Sequence, residues 1–393
     1  VTAPRVLAVA DSDSYLKWTA GLLDHMPAGW SRTLAVVRSP IAPSAEQIRS
    51  ALNGTAAGTP DVLTARGVAQ RVRRERPDVV VLGCTGPVVK VLSRMLPAAD
   101  RPVLVSGLPG ISVPASERAW VFRSAVDLFV VHSRREVAEF TEIAARLGLP
   151  GRVGFTRLPF LEPAPPAEVR DRVVFATQAK VPAAPADRER ILLALAGLAE
   201  LRPDLRVVVK LRALADEQQT HREDHHYQVL WRRMAQAGRV REDALHFDAG
   251  PMREHLARAA GFVTVSSTAA LEAIAAGVPL LVLSDFGVNA EMINLVFEGS
   301  GCLGTLAELT EGTFKTPDPG WCAANYFHDP ADETWLSHLA ELLEDARAGR
   351  LPEPVHLPVW THPLGEPRAR LRLELSPAAF RRVDVLRRVL RRH

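Results

Sequence analysis

The stretch Gly261 to Glu298, GFVTVSSTAALEAIAAGVPLLVLSDFGVNAEMINLVFE, constrains the fold more than any other part of the chain. Its apolar, partly β-branched run Phe262-Val263-Thr264-Val265 is too short for a helix and breaks at the polar triplet Ser266-Ser267-Thr268, the pattern of a buried strand running into a turn. From Ala269 the residues switch to strong helix formers. These stop at Gly277, which is followed by Val278-Pro279, a C-terminal glycine with a proline that cannot continue the helix. Leu280 to Leu283 reads as a second buried strand, and Asp285-Phe286-Gly287 as a loop into another helix near Asn289 and Glu291. This β-α-β-loop-α order belongs to an open parallel α/β sheet.

In such sheets ligands bind beyond the carboxyl ends of the strands. The triplet falls there, at a helix start with unpaired N–H groups and the positive end of the helix dipole, so Ser266, Ser267 and Thr268 suit phosphate oxygens. Glu272, one turn further, is placed to reach ribose hydroxyls. Plain N-capping accounts for the triplet equally well, since Ser and Thr are preferred caps without any anion.

The sequence Ser-Ser-Thr-x-x-Leu-Glu-Ala, followed by Ala-Gly-Val-Pro and a strand, resembles the nucleotide-binding signature in the C-terminal domain of GT-B glycosyltransferases. The nearest resemblance is to bacterial capsule-type and sialyl- or polysialyltransferase-like enzymes, and to an actinobacterial group of glycosyltransferases. It covers most of the chain in layout, with sharp motifs only between residues 172 and 300. The resemblance implies that the Ser/Thr cluster holds the donor phosphate and Glu272 the ribose, with Gln178, Asn289 and Glu291 in the same donor site.

A chain of 393 residues is too long for one ordinary core and implies two domains. A hydrophobic content of 47% with 24% charge is that of a soluble globular protein, and a net charge of +3 gives no general affinity for nucleic acid. Cys84, Cys302 and Cys322 are too far apart for a zinc motif or a disulfide framework, which favours a reducing cytoplasm. No run of 18 apolar residues occurs, and the N-terminal residues lack the charged and apolar regions of a signal peptide.

In the N-terminal half, Arg5 to Ala10 is a strand that breaks at Asp11-Ser-Asp-Ser14, and Tyr15 to His25 an amphipathic helix. Asp11 and Asp13 therefore follow the first strand, where a doubly wound domain places ligand contacts. They spell Asp-x-Asp, a metal-holding motif in the other large glycosyltransferase fold, but helix capping with a first-turn acid explains them as well. Further strands fall at Pro77–Leu82, Pro102–Ser106, Ala125–Val131 and Val153–Pro159, with helices between. Strand and helix thus alternate about five times. His132 ends one of these strands and is placed for acid/base chemistry or phosphate contact, although a backbone-satisfied histidine is the commoner case.

Pro159 to Arg172 carries four prolines and forms a semi-stiff connector. Val173 to Gln178 opens a new sheet and resembles the first strand of GT-B donor domains. Arg206 to Leu211 is a strand ending at Lys210 and Arg212, cations where the capsule-type relatives carry a Lys and a His-Pro pair; the His-Pro is missing here. The histidines of 221–226 alternate with Arg and carboxylates as on a solvated surface, which argues against a metal site. Residues 330–348 include a further helix, 350–375 are proline-rich, and 377–393 form a basic amphipathic helix that either packs across the domains or lies on a membrane surface.

The expected architecture is α/β, two Rossmann-like domains facing across a cleft: an acceptor domain (1–162), a linker (163–172), a nucleotide-sugar domain (173–348) and an extension (349–393). The expected activity is metal-independent and cofactor-free glycosyl transfer from a nucleotide-sugar donor to the hydroxyl of a glycan or small-molecule acceptor. It would serve capsule, polysaccharide or secondary-metabolite synthesis in the cytoplasm, with peripheral membrane contact open. Asp13 is the expected base, ahead of Asp11 and His132, because Asp11 is better placed to cap the helix. A nucleotide-sugar 2-epimerase, a polyol-phosphate polymer transferase and a catalytically silent binding protein remain as alternatives.

Overall fold

The computed structural model describes residues 3–97, 99–161, 167–211 and 225–375. Their contacts divide them into two units. One runs to Phe160 and resumes at His328; the other spans Leu161–Phe327.

The first unit begins with β1 (Arg5–Ala10), α1 (Asp13–Asp24), β2 (Ser31–Val37), α2 (Ala45–Leu52), β3 (Asp61–Leu63) and α3 (Ala65–Glu75). It continues through β4 (Val79–Gly83), α4 (Gly86–Met95), β5 (Val103–Gly107), α5 (Glu117–Phe122), β6 (Leu128–Val131), α6 (Arg134–Arg146) and β7 (Arg152–Phe155). The strands form one parallel sheet in the order β3-β2-β1-β4-β5-β6-β7. The near-continuous apolar character of Val79–Leu82 follows from burial on both faces, because a crossover helix covers each side. The sheet has seven strands where the sequence pattern gives five. The additional pair is β2, whose apolar stretch is only Leu34–Val37, and the three-residue edge strand β3, which is partly exposed and carries little periodic signal. Gly107 is required for packing: a Cβ there would lie 2.6 Å from both the Trp18 ring and the Val130 carbonyl.

The second unit contains β8 (Arg172–Ala176), α7 (Pro185–Leu201), β9 (Arg206–Lys210), α8 (Tyr227–Gln236), β10 (His246–Asp248), α9 (Met252–Ala257) and β11 (Ala259–Thr264). After these come α10 (Ala269–Ala275), β12 (Leu280–Leu283), β13 (Leu303–Gly304), α11 (Leu306–Glu311) and α12 (Pro319–Ala324). Its sheet is parallel throughout, in the order β10-β9-β8-β11-β12-β13. Gly277 ends α10 with φ +63°, the left-handed conformation expected of a C-terminal glycine. The expected helix near Asn289 and Glu291 is absent: residues 289–293 form turns, with Ile293 at φ +57°. Buried Asn294 holds this loop instead, donating to Gly287 O at 3.0 Å and accepting from Asn289 N at 3.1 Å.

The chain then returns to the first unit earlier than residue 348. Helix α13 (Trp335–Arg347) buries Trp335, Leu339, Leu342 and Leu343 in the core shared with β1, β4, β5 and β6, and Thr334 N donates to Phe155 O at 2.9 Å. An apolar stripe on a helix must find a partner sheet, and the first sheet supplies it. A last helix, α14 (Gly365–Glu374), contacts α3 and α4. Arg212, residues 221–224 and the basic segment 377–393 lie outside the described residues. No helix among the described residues is long and apolar enough to cross a membrane.

One buried ion pair joins three parts of the first unit. Arg101 meets both carboxylate oxygens of Asp127 at 2.6 and 2.7 Å and donates to Pro352 O at 2.6 Å, while Asp127 also accepts from Leu104 N at 2.8 Å. Removing one partner leaves a buried charge uncompensated, at a cost of about 3 to 5 kcal/mol. Asp127→Ala is therefore expected to lower stability by about that amount in denaturant unfolding, and a midpoint equal to wild type would show the pair to be energetically silent.

Candidate functional site

Each sheet reverses strand order once, between β1 and β4 in the first unit and between β8 and β11 in the second. The crossover connections leave on opposite faces at these points, so a crevice opens at the carboxyl ends of the two strands. In both units a side chain bridges it.

In the first unit Asp11 follows β1, and its Oδ2 accepts from Thr85 N at 2.9 Å and from the Thr85 hydroxyl. Thr85 lies beyond β4 and is the N-cap of α4. Asp11 is fully buried, and its Oδ1 has no hydrogen-bond partner among the described residues. Burial raises its pKa, opposed chiefly by the bonds from Thr85. The residue is not the cap of α1. Ser12 occupies that position without a side-chain cap bond, and Asp13, half-buried, is the first residue of the helix. The two aspartates therefore do not form a chelating pair: Asp11 turns toward β4, whereas Asp13 stands in the first turn of α1, where the dipole favours an acid.

Behind Asp11 lies buried Arg123. Its guanidinium donates to the Tyr15 hydroxyl at 2.7 Å, Cys84 O at 2.9 Å, Ser106 Oγ at 3.1 Å and Ala119 O at 3.2 Å. Burial pushes Tyr15 up to about 12, so its hydroxyl stays protonated. This arginine ties the ends of β4 and β5 to α1 and supplies a positive field at Asp11. It had no signal in the sequence beyond being a cation next to a strand.

His132 does not meet its expected role. Its ring is fully buried; Trp18 Nε1–H donates to Nε2 at 2.8 Å, Leu108 O lies 2.9 Å from the same nitrogen, and Nδ1 lies 2.9 Å from Thr156 O. Burial depresses its pKa, opposed by Glu136 and by the backbone bonds at Thr156 and Leu108. Its backbone N–H donates to Glu136 Oε2 at 2.8 Å. Both ring nitrogens are used inside the protein, and no face is left for a substrate.

In the second unit Gln178, beyond β8, donates through Nε2 to Ser266 O, beyond β11. The three hydroxyls of the triplet differ. Ser266 Oγ donates to Ile293 O at 2.5 Å, and Ser267 Oγ accepts from Ala269 N at 3.2 Å, which is capping. Thr268 is the N-cap of α10 but makes no side-chain cap bond, and it is half-exposed. Lys210 ends β9, next to β8, and donates to Leu211 O at 2.8 Å. Glu272 is half-buried on α10, while Asn289 and Glu291 are exposed on the turn that Asn294 braces. Gln178, Lys210 and the triplet thus share one end of three neighbouring strands, and Asn289 serves its own loop by accepting from Met292 N at 2.9 Å.

Two further features were not read from the sequence. Asp248, at the end of β10, lies 3.5 Å from His255 Nε2. Its bond from Gly250 N holds its pKa below the ordinary value, helped by His255 and Lys210, while burial depresses that of His255. Arg188 is the second. It is buried on α7, in line with Ile191, Leu195 and Leu198, and it donates to Ala179 O and Pro182 O at 2.8 Å, to His225 O at 2.5 Å and to Gln178 O at 3.4 Å. A charged residue within an apolar helical stripe was the available signal. Among the described residues no three His, Cys, Asp or Glu side chains converge as metal ligands.

Comparison with solved structures shows the same fold at low identity. The S. aureus MnaA–UDP co-structure matches with a TM-score of 0.57 at 11% identity, over 90% of this chain and 100% of that one. UDP-GlcNAc 2-epimerase from Neisseria meningitidis bound to UDP-GlcNAc gives 0.52 at 11% identity, over 88% and 100% of the two chains. Anabaena HepE in complex with UDP and glucose gives 0.51 at 16% identity, also over 88% and 100%. A search of curated proteins finds no match to this sequence. The family model described as "Putative glycosyltransferase (DUF6716)" matches residues 6–342, most of the chain, and the protein belongs to that family.

Proposed function

We propose that the protein transfers a sugar from a nucleotide-activated donor to an acceptor hydroxyl, with the donor held at the carboxyl end of the second sheet. The observation that carries this reading is the group of polar side chains at that sheet's reversal point. Gln178 closes the base of the crevice, the Thr268 hydroxyl makes no hydrogen bond among the described residues, and Lys210 supplies a cation one strand away. Glycosyl transfer requires stabilisation of the charge that develops on the leaving phosphate, and a hydroxyl with an ammonium group does this through charge-assisted hydrogen bonds. The reading uses neither a metal nor a cofactor. Structures of similar fold hold UDP and UDP-GlcNAc, which supports a nucleotide-sugar as donor.

Asp13 is the proposed base. It is the half-exposed carboxylate beyond β1, whereas Asp11 is buried and acts as a positioning residue for the Thr85 loop. A second reading, nucleotide-sugar 2-epimerisation, is favoured by the likeness to 2-epimerase structures. Epimerisation would release a free altered sugar nucleotide, and transfer a glycoside. Product analysis after incubation with donor alone, then with acceptors, separates the two.

The direct test is thermal shift against UDP-, GDP-, CMP- and CDP-linked sugars, in which one nucleotide class is expected to stabilise the protein; a ligand at 100 times its Kd adds about 2.7 kcal/mol. Lack of any shift up to millimolar donor would remove the proposal. Thr268→Ala is expected to weaken binding of that donor by about 1.5 to 3 kcal/mol, the range for a hydrogen bond to a charged group, and Ser266→Ala to act mainly on loop stability. Asp13→Asn is expected to lower turnover about 10²- to 10⁴-fold with donor affinity unchanged, and a normal rate would place the base elsewhere.

Asp11 predicts a pH effect with a definite sign. Its folded pKa lies above the ordinary value of about 3.9, so the folded state keeps a proton that the unfolded state has lost, and stability from this group falls as pH rises through the folded pKa. Asn retains the acceptor for Thr85 without the charge. The melting temperature of Asp11→Asn relative to wild type is therefore expected to become more favourable as pH rises from roughly 4, and a constant difference from pH 4 to 8 would contradict it.

A further inference from the structure

The first unit has a cavity at the end of its sheet opposite to Asp11 and Thr85. It has a volume of 420 Å³, within the range of about 300 to 1,000 Å³ common for small-molecule sites. Its walls come from the amino ends of β2 and β3, the carboxyl end of α1 and the loop 56–59. Trp30, Arg32, Asp24, Asp61, Arg71 and Thr59 line it.

The charges in this lining are arranged in a specific way. Arg71 is neutralised by Asp61 and Glu75, each at 3.0 Å. Arg32 donates to Leu23 O at 2.8 Å and has no carboxylate partner among the described residues, which leaves further N–H donors of its fork unassigned. Asp24 accepts from Ala56 N at 3.2 and 3.3 Å, so one N–H is shared by both oxygens and acceptor capacity remains. An acid as the last residue of α1 opposes the helix dipole, so helix stability does not account for it. The half-buried Trp30 adds an apolar wall whose indole N–H makes no hydrogen bond among the described residues.

Two guanidinium groups and two carboxylates balance in charge, which disfavours an ionic ligand and leaves planar donors and acceptors beside an aromatic face. A molecule that pairs with such a lining carries vicinal hydroxyls on one side and C–H groups on the other. We propose that this cavity is a saccharide-binding site that takes a neutral pyranose ring, its C–H face against Trp30 and its hydroxyls on Arg32 and Asp24. The loop 56–59, tethered to Asp24 through Ala56 N, forms one wall of the site. The site is separate from the strand ends assigned to donor and base, so its existence does not depend on the transferase reading. If that reading holds, the site would retain a glycan acceptor between turnovers.

The test is binding of the intact chain to a printed array of neutral and acidic oligosaccharides, followed by titration of the best neutral glycan. Wild type is expected to retain a subset of neutral glycans, Trp30→Ala and Asp24→Ala to weaken them at least tenfold, and Asp13→Asn and Thr268→Ala to leave them unchanged. Thr59→Trp, at the exposed rim, is a second variant that occupies the cavity while leaving Trp30 in place. Circular dichroism melting shows which variants fold. Absence of retained neutral glycans, retention only of acidic ones, or equal affinity in folded Trp30→Ala and Thr59→Trp would overturn the proposal. Loss in Asp13→Asn with no loss at Trp30 would assign the glycan to the catalytic end of the sheet and overturn it as well.

Discussion

The parallel sheet with one reversal of strand order is the constraint on which the rest of this structure depends. Right-handed crossovers force the helices to opposite faces on either side of the reversal, so two neighbouring strand ends are left without a helix over the gap. Polar backbone is exposed there and must be satisfied by side chains or by a ligand. In the first unit Asp11 answers this demand from β1 to the β4 loop; in the second, Gln178 answers it from the β8 loop to the β11 loop. The same geometric problem, solved twice by one side chain, places the candidate chemistry.

These bridges rest on buried arginines that work as fasteners for loops. Arg123 spans the ends of β4 and β5 and the start of α1, and Arg188 gathers carbonyls from the loop after β8 and from His225. A guanidinium has five donors in a rigid fork, so one side chain can fix several carbonyls at once, and its burial is tolerated because those donors are used. Neither arginine reacts with anything in the proposed chemistry. Arg123 fixes Tyr15 on the helix that carries Asp13, and Arg188 fixes the backbone of the loop that carries Gln178.

Much of the architecture was legible in the residues because it follows from period and punctuation. The block from Phe262 to Leu283 has a strand, a helix and a strand where the apolar runs, the Ala-rich segment and Gly277-Val-Pro279 put them. The weak points were those with little local signal: β2 and β3, and the turn at 289–293, whose shape comes from Asn294. The end of the second unit was also misplaced. Residues 328–348 join the first sheet because Trp335 and Leu339 find their apolar partners there, and sequence order carries no information about that choice.

The sequence by itself determined the class of fold, the position of the polar triplet beyond a buried strand and the presence of acids after β1, since strand ends and helix starts are written in local composition. Only the tertiary structure decided which of these groups has chemistry left to offer. Asp11 and His132 both stand at strand ends, yet one carboxylate oxygen of buried Asp11 is committed to Thr85, and the His132 ring is enclosed by Trp18, Leu108 and Thr156. Ser266, Ser267 and Thr268 are consecutive and alike, yet two hydroxyls serve the backbone and Thr268 makes no cap bond. The physical reason is that hydrogen-bond capacity is consumed by partners remote in the chain, and a side chain's neighbours in space cannot be read from its neighbours in sequence.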